Sequence, residues 1–174
     1  MKTSYIKQLL VAFLMVITSV NGYSQITKAE IIATGLTCSM CSNAINKQLK
    51  SMTEVESVST DLNTNTFTVN LKKNNSLSPK VLKESIEKTG FFVGSMVLTM
   101  DFGNVDIKDN QKVKKENGTY MFVKSSDKII NGRIKGKVLN NGFVTKKEFK
   151  QSAKLLSKYP DFSSQENTYI IKVI

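Results

Sequence analysis

The residues of this sequence with the clearest chemical potential are two cysteines two residues apart, in the segment Cys38-Ser39-Met40-Cys41. The chain contains 2 Cys and no His. Two cysteines cannot build a four-thiolate zinc or iron–sulfur site. The lack of histidine excludes Ser-His-Asp and Cys-His catalytic systems, and also His-ligated zinc and haem. Any site must therefore use thiolates, carboxylates, hydroxyls, amines or thioethers.

The cysteine pair lies where a loop is predicted to run into a helix. The spacing lets both sulfurs point at one atom, and the positive end of a helix favours thiolate over thiol. Thiolates prefer soft ions, and two of them without further protein ligands suit a low coordination number. Because Zn(II) takes four ligands, Cys38 and Cys41 are predicted to bind Cu(I) first. Hg(II), Zn(II) and Cd(II) remain alternatives.

Two other uses of the cysteine pair stay open. In an oxidising compartment Cys38 and Cys41 would be able to close a structural disulfide. A lowered pKa would equally serve a thiol–disulfide redox protein. A thioredoxin-like arrangement, however, has a Trp before the motif and a cis-Pro strand opposite. This chain has no Trp, and Pro79 is predicted to begin a helix.

Patterns of strand and helix alternate around the motif. Period-2 alternation and β-branched residues predict strands over residues 28–34, 55–62, 67–71 and 92–100. The helix after the loop is predicted to bury one face, which carries Ile45, Leu49 and Met52. Met40 is expected to be exposed.

The second helix has clear start and stop signals. Ser78 is its predicted N-cap, Pro79 its first residue and Gly90 its stop. Its buried face is expected to comprise Val81, Leu82 and Ile86. Side chains expected in the core also include Phe91, Phe92, Met96 and Met100, the two methionines sharing one strand face. The βαββαβ order is that of an α+β, ferredoxin-like domain.

Residues 27–100 resemble the heavy-metal-associated domain of copper chaperones, copper-transporting ATPases and the periplasmic mercury-binding protein. The likeness rests on the segments Gly35-Leu36-Thr37-Cys38-Ser39-Met40-Cys41, Ser42-Asn43-Ala44-Ile45, Val55-Glu56-Ser57-Val58, Asp61-Leu62, Phe67-Thr68-Val69 and Ile86-Glu87-Lys88-Thr89-Gly90-Phe91. The resemblance implies a metal ion held by Cys38 and Cys41 on an exposed loop. It also implies transfer of the ion to the CxxC site of a partner protein. Leu36, where the family usually has Met, is expected to pack beneath the loop.

The composition changes after residue 100. Residues 101–117 are polar and Lys-rich, which predicts a linker-like segment. Residues 118–174 are predicted to form a basic, mostly β domain with one helix and no assigned role. Its elements are predicted as strands over 119–123, 128–130, 133–139 and 168–173 and a helix opened by the Thr145–Glu148 capping box, with Phe149, Ala153 and Leu156 on one face. Nothing in this half has catalytic spacing, so the chain is not expected to be an enzyme.

Residues 1–24 have the pattern of a secretory signal peptide. Lys2 and Lys7 precede an apolar run that is too short to span a bilayer, and small residues precede a cleavage point after Ser24. We therefore expect export to the periplasm or secretion, without stable membrane insertion of the mature chain. Export argues against nucleic acid as a partner.

The formal charge of the chain is +11, and residues 101–174 contain 15 basic against 8 acidic residues. The basic side chains include one cluster at Lys112, Lys114 and Lys115 and a second along the last helix, at Lys146, Lys147, Lys150, Lys154 and Lys158. A solvated Lys-rich surface is the simpler interpretation. Docking to an acidic partner or to lipid headgroups is the alternative.

Overall fold

The computed structural model describes residues 25–103, 107–123, 132–159 and 167–174. The described strands are β1 Gln25–Thr34, β2 Val55–Asp61, β3 Thr66–Leu71, β4 Phe92–Asp101, β5 Lys112–Lys115, β6 Gly118–Val123, β7 Arg133–Val138 and β8 Thr168–Val173. The described helices are α1 Ser39–Lys50, α2 Pro79–Glu87 and α3 Lys146–Leu156. The strands form one sheet in the order β2-β3-β1-β4-β7-β8-β6-β5.

Strands β1 to β4 with α1 and α2 form the expected βαββαβ unit, and the ferredoxin-like α+β class is confirmed. Strand β1 lies between β3 and β4 and is antiparallel to both. Successive side chains of these strands point to opposite faces of the sheet, and those on one face are apolar. Helices α1 and α2 pack their buried side chains into the core on this face. The fully buried side chains of this layer include Ile31, Ile45, Leu49, Phe67, Val69, Leu82 and Ile86.

Helix α2 begins as its sequence predicts. The Ser78 side chain accepts a hydrogen bond from the Val81 N–H at 3.3 Å, and Pro79 fills the first position. The prediction that Val81 is buried is wrong, because this side chain is 43% exposed. Leu82 and Ile86 form the contact stripe of this nine-residue helix, and Val81 lies one residue, about 100°, away from it.

The second half of the chain extends the same sheet. Strand β7 is antiparallel to β4, with Val97 opposite Lys137 and Asp101 opposite Arg133. Phe102, just beyond β4, makes edge-to-face contacts with Tyr120 at 5.5 Å and Phe122 at 5.4 Å between ring centroids. The division into two domains stays a prediction. What the structure shows is a core that continues across the expected boundary.

The segment expected to be linker-like contains strand β5. Strand β5 pairs with β6 as a hairpin, with Lys115 opposite Gly118, so the Asn117-Gly118 dipeptide lies at a tight turn, where such dipeptides are favoured. Lysine-rich edge strands protect a sheet from pairing with other chains, which explains this polar composition. The strand predicted over residues 128–130 lies outside the described residues.

Helix α3 packs on the opposite face of the sheet. The Thr145 side chain accepts a hydrogen bond from the Glu148 N–H at 3.2 Å, which confirms the cap. The Glu148 carboxylate pairs with Lys137 of β7 instead of closing the box. Leu156 is buried with side chains of β6 and β8, Met121, Val123 and Ile170. Ala153 is exposed, contrary to expectation, because Phe149, Leu155 and Leu156 make the contact.

Candidate metal centre

The cysteine loop joins β1 to α1 at one end of the sheet. The chain leaves β1 at Thr34 and turns at Gly35, whose φ of +87° lies in the left-handed region that favours glycine. Leu36 then packs against the core, as expected for a residue beneath the loop. The chain enters α1 at Ser39, so Cys38 becomes the N-cap of the helix. This path leaves Cys38 exposed and Cys41 half-buried.

The two sulfur atoms face each other across the first turn of α1. Cys38 Sγ lies 2.8 Å from Cys41 Sγ, within hydrogen-bond distance, and both cysteines are free. The Cys41 N–H donates to the Cys38 carbonyl oxygen at 3.2 Å, which fixes the turn. The Cys38 side chain makes no capping hydrogen bond. Its sulfur is therefore available to a ligand.

The surroundings of Cys38 hold its pKa below the ordinary value of a cysteine. The largest cause is the hydrogen bond with the Cys41 side chain, and the nearby backbone N–H groups of Cys41 and Met40 lower the pKa further although neither forms a capping hydrogen bond. All three stabilise the thiolate, which is the form that binds metal and reacts with electrophiles. The first turn of α1 also contains no acidic residue that would oppose this charge.

The effect of Cys41 on Cys38 can be measured by alkylation, because each Cys41 variant has a single thiol. In Cys41→Ala the main hydrogen bond to the Cys38 thiolate is lost, so we expect its pKa to rise. In Cys41→Ser a hydroxyl donor remains, so the pKa should stay lower than in the alanine variant. The measurement is the pH midpoint of the iodoacetamide reaction rate. Equal midpoints in the two variants would show that the side-chain hydrogen bond has no effect.

The structure places the other sulfur-containing candidates away from the two cysteines or in solvent. Met96 and Met100 are fully buried in β4, as the alternation predicted. Met40 lies in the motif but is 81% exposed. Within the described ranges no group of three or more His, Cys, Asp or Glu is arranged to hold a metal ion. The candidate ligands in this part of the chain are therefore the two sulfurs alone.

The aromatic residues after Gly90 differ in position. Phe91 packs partly against the core near the turn at Gly35, as expected. The prediction that Phe92 is buried is wrong, because its side chain is 64% exposed. Phe92 pairs with Thr34 at the end of β1, and an irregularity between Ile32 and Ala33 changes the register of this corner. The exposed ring therefore lies next to the residues that open the cysteine loop.

A ferredoxin-like unit with an exposed dithiol at the start of its first helix is the design of a small metal-binding module. The family model of the heavy-metal-associated domain matches residues 30–92. A search of curated proteins finds no match. None of the helices in the described residues combines the length and the apolarity needed to cross a bilayer.

Several solved copper-binding domains are similar to the first half of the chain. The yeast copper transporter domain CCC2A, solved in apo and Cu(I)-loaded states, is 34% identical over 37% of this chain and 88% of its own, with a TM-score of 0.35. A copper binding domain from the P-type ATPase HMA7 is 32% identical over 38% of this chain and 88% of its own, with a TM-score of 0.35.

The N-terminal domain of a potential copper-translocating P-type ATPase from Bacillus subtilis is 31% identical over 38% of this chain and 82% of its own, with a TM-score of 0.35. Through residues 30–92, the chain belongs to the heavy-metal-associated domain family. The match ends at Phe92, so most of β4, strands β5 to β8 and helix α3 lie outside it.

Proposed function

We propose that this protein binds a soft metal ion, Cu(I) above others, through the thiolates of Cys38 and Cys41, and transfers or scavenges it. The observation that carries the proposal is the pair of free sulfurs 2.8 Å apart at the exposed start of α1. Its support from relatives is that the similar domains are a domain of a copper transporter, a copper binding domain of the P-type ATPase HMA7 and a domain of a potential copper-translocating P-type ATPase. Two thiolates without a third ligand in the described residues favour an ion of low coordination number.

Uptake of an ion requires the two sulfurs to separate. A metal–sulfur bond measures about 2.3 Å for zinc, so an ion held between two sulfurs places them well beyond 2.8 Å. Cys38 is exposed and makes no capping bond, so rotation about its Cα–Cβ bond opens the pair at little cost. The exposed sulfur is also the one that a partner's thiolate reaches first. Transfer then proceeds by stepwise exchange, with Cys41 holding the ion as Cys38 releases it.

We further propose that the protein acts outside the cytosol, because residues 1–24, which lie outside the described residues, have the pattern of a signal peptide.

Two related functions would use the same cysteine pair. An Hg(II) scavenger would bind its ion at the same two thiolates. A thiol–disulfide redox protein would use the lowered pKa of Cys38 to attack a disulfide.

One titration under anaerobic conditions tests these functions. We expect the reduced protein to take Cu(I) from a chromophoric chelator with one ion per chain, and the Cys38→Ser/Cys41→Ser variant to take none. Parallel titration with Hg(II) ranks the two metals by competition. Insulin reduction without metal uptake would instead identify a redox protein. Failure of pre-reduced protein to bind either metal at equimolar dose would disprove the proposed function.

A further inference from the structure

We infer that the first turns of α3 provide, beside the metal loop, a basic docking surface for an acidic protein domain that exchanges metal with this chain. The inference rests on the proposed function and identifies the kind of partner. The surface is formed by Ile32, Phe92, Lys146, Lys147 and Lys150, and is called the α3 corner below. Its lysines lie outside the family match.

The strand directions bring α3 to the metal end of the sheet. Strand β1 ends there at Thr34, and β4 begins there at Phe92, because these residues are paired. Strand β7 is antiparallel to β4, so β7 ends at the same side as β4 begins. Because β7 pairs with β4 only over Val97–Asp101, the chain after β7 is free to follow the first residues of β4.

A close approach confirms this path. A Cβ atom at Gly94 would lie 3.8 Å from Thr145 Cγ2 and 2.4 Å from Thr34 Cγ2. Thr145, the N-cap of α3, therefore lies beside the end of β1, whose next residue opens the cysteine loop. Phe92 is two residues from Gly94, about 7 Å along an extended strand. Helix α3 thus begins at the end of the sheet from which the cysteine loop leaves β1.

The corner combines exposed apolar area with unpaired positive charge. Phe92 is 64% and Ile32 39% exposed, and they are two of the few large apolar side chains at the described surface. Lys146, Lys147 and Lys150 are exposed. They form no ion pair among the described residues, because Glu148, the acid of the helix, is held by Lys137.

An aromatic anchor with a charged rim is the usual composition of a protein interface. The positive charge of the α3 corner favours a partner with an acidic surface. Because the corner lies beside the cysteine loop, a partner bound there is one that can reach Cys38. Both requirements are met by a small domain that carries its own CxxC site among carboxylates. The rim charges would act mainly on the association rate, since unpaired surface charges steer encounter.

The test is the rate of Cu(I) transfer from the full-length protein to a fluorophore-labelled copper-binding domain with acidic residues around its CxxC, followed by stopped flow. We expect Lys146→Gln/Lys147→Gln/Lys150→Gln to slow transfer by about tenfold at low salt and by little at ~1 M salt. Phe92→Ala is expected to slow it by several-fold. An acceptor whose carboxylates are replaced by amides should show no difference between wild type and triple variant.

The matched control is Lys47→Gln/Lys50→Gln/Lys73→Gln, which removes the same charge at the opposite end of the sheet, in the last turn of α1 and after β3. Equal transfer rates for wild type and α3 variant, or equal slowing by both triple variants, would overturn the inference. So would loss of binding to phosphatidylglycerol vesicles in the α3 variant at an unchanged transfer rate, because the lysines would then serve a lipid surface. In each of these outcomes Cu(I) affinity stays intact, so the proposed function survives.

Discussion

Replacing Cys41 by serine is expected to lower the Cu(I) affinity of the reduced protein by more than a hundred-fold. Loss of an outer-shell partner of a metal site costs about 10–100-fold, and loss of a ligand must exceed this. A hydroxyl is a poor ligand for a soft ion. Among the described residues no third donor group is arranged to compensate. The measurement is competition with a chromophoric Cu(I) chelator in the absence of oxygen, and Cys38→Ser should show a loss of the same order.

The matched controls lie between the two ligands. Ser39→Ala and Met40→Ala change the same turn without removing a thiolate, and Met40 is 81% exposed. Both should bind Cu(I) within about threefold of wild type, since surface changes of this kind alter little. A loss in Met40→Ala as large as that in Cys41→Ser would mean that the thioether is a ligand. The two-sulfur site would then be wrong.

The sequence was sufficient for the first half of the fold because its signals there are local. Glycine at a left-handed turn, Ser78 with Pro79 at a helix start, and alternation at Phe67 and Val69 each depend on a few neighbouring residues. These signals predict the βαββαβ order, and the CxxC spacing predicts one cysteine in the loop and the other in the first turn of α1, as observed. The geometry between the sulfurs depends on side-chain rotamers, which sequence patterns do not specify.

The features that were missed depend on residues distant in the chain. Strand β5 has no apolar alternation of its own and exists through its pairing with β6. The exposure of Phe92 results from the register change between β1 and β4, which no local pattern encodes. The pairing of β4 with β7 could not be predicted either, because the edge of a sheet can pair with many strands of similar composition. The docking surface beside the loop follows from that pairing.

Truncation of Phe102 to alanine is expected to destabilise the sheet as a whole, by about 3–5 kcal/mol. Phe102 is 3% exposed and its ring contacts Tyr120 and Phe122 from the second half of the chain. Its N–H also donates to the Gly132 carbonyl oxygen at 3.1 Å. A loss of this size is a large fraction of the usual 5–15 kcal/mol of folding free energy, so the melting temperature should fall by roughly 10 °C.

Hydrogen exchange decides whether the two halves unfold together. If the core that spans the two halves is cooperative, Phe102→Ala should reduce amide protection in β1 and β3 as much as in β6 and β8.

The matched control is Tyr120→Phe in the same cluster. The Tyr120 hydroxyl is buried without a partner among the described residues, so its removal abolishes a desolvation cost and should change stability by less than about 1 kcal/mol. Loss of protection in β6 and β8 alone would show that residues 27–100 fold independently of the rest, and the cooperative sheet would be disproved.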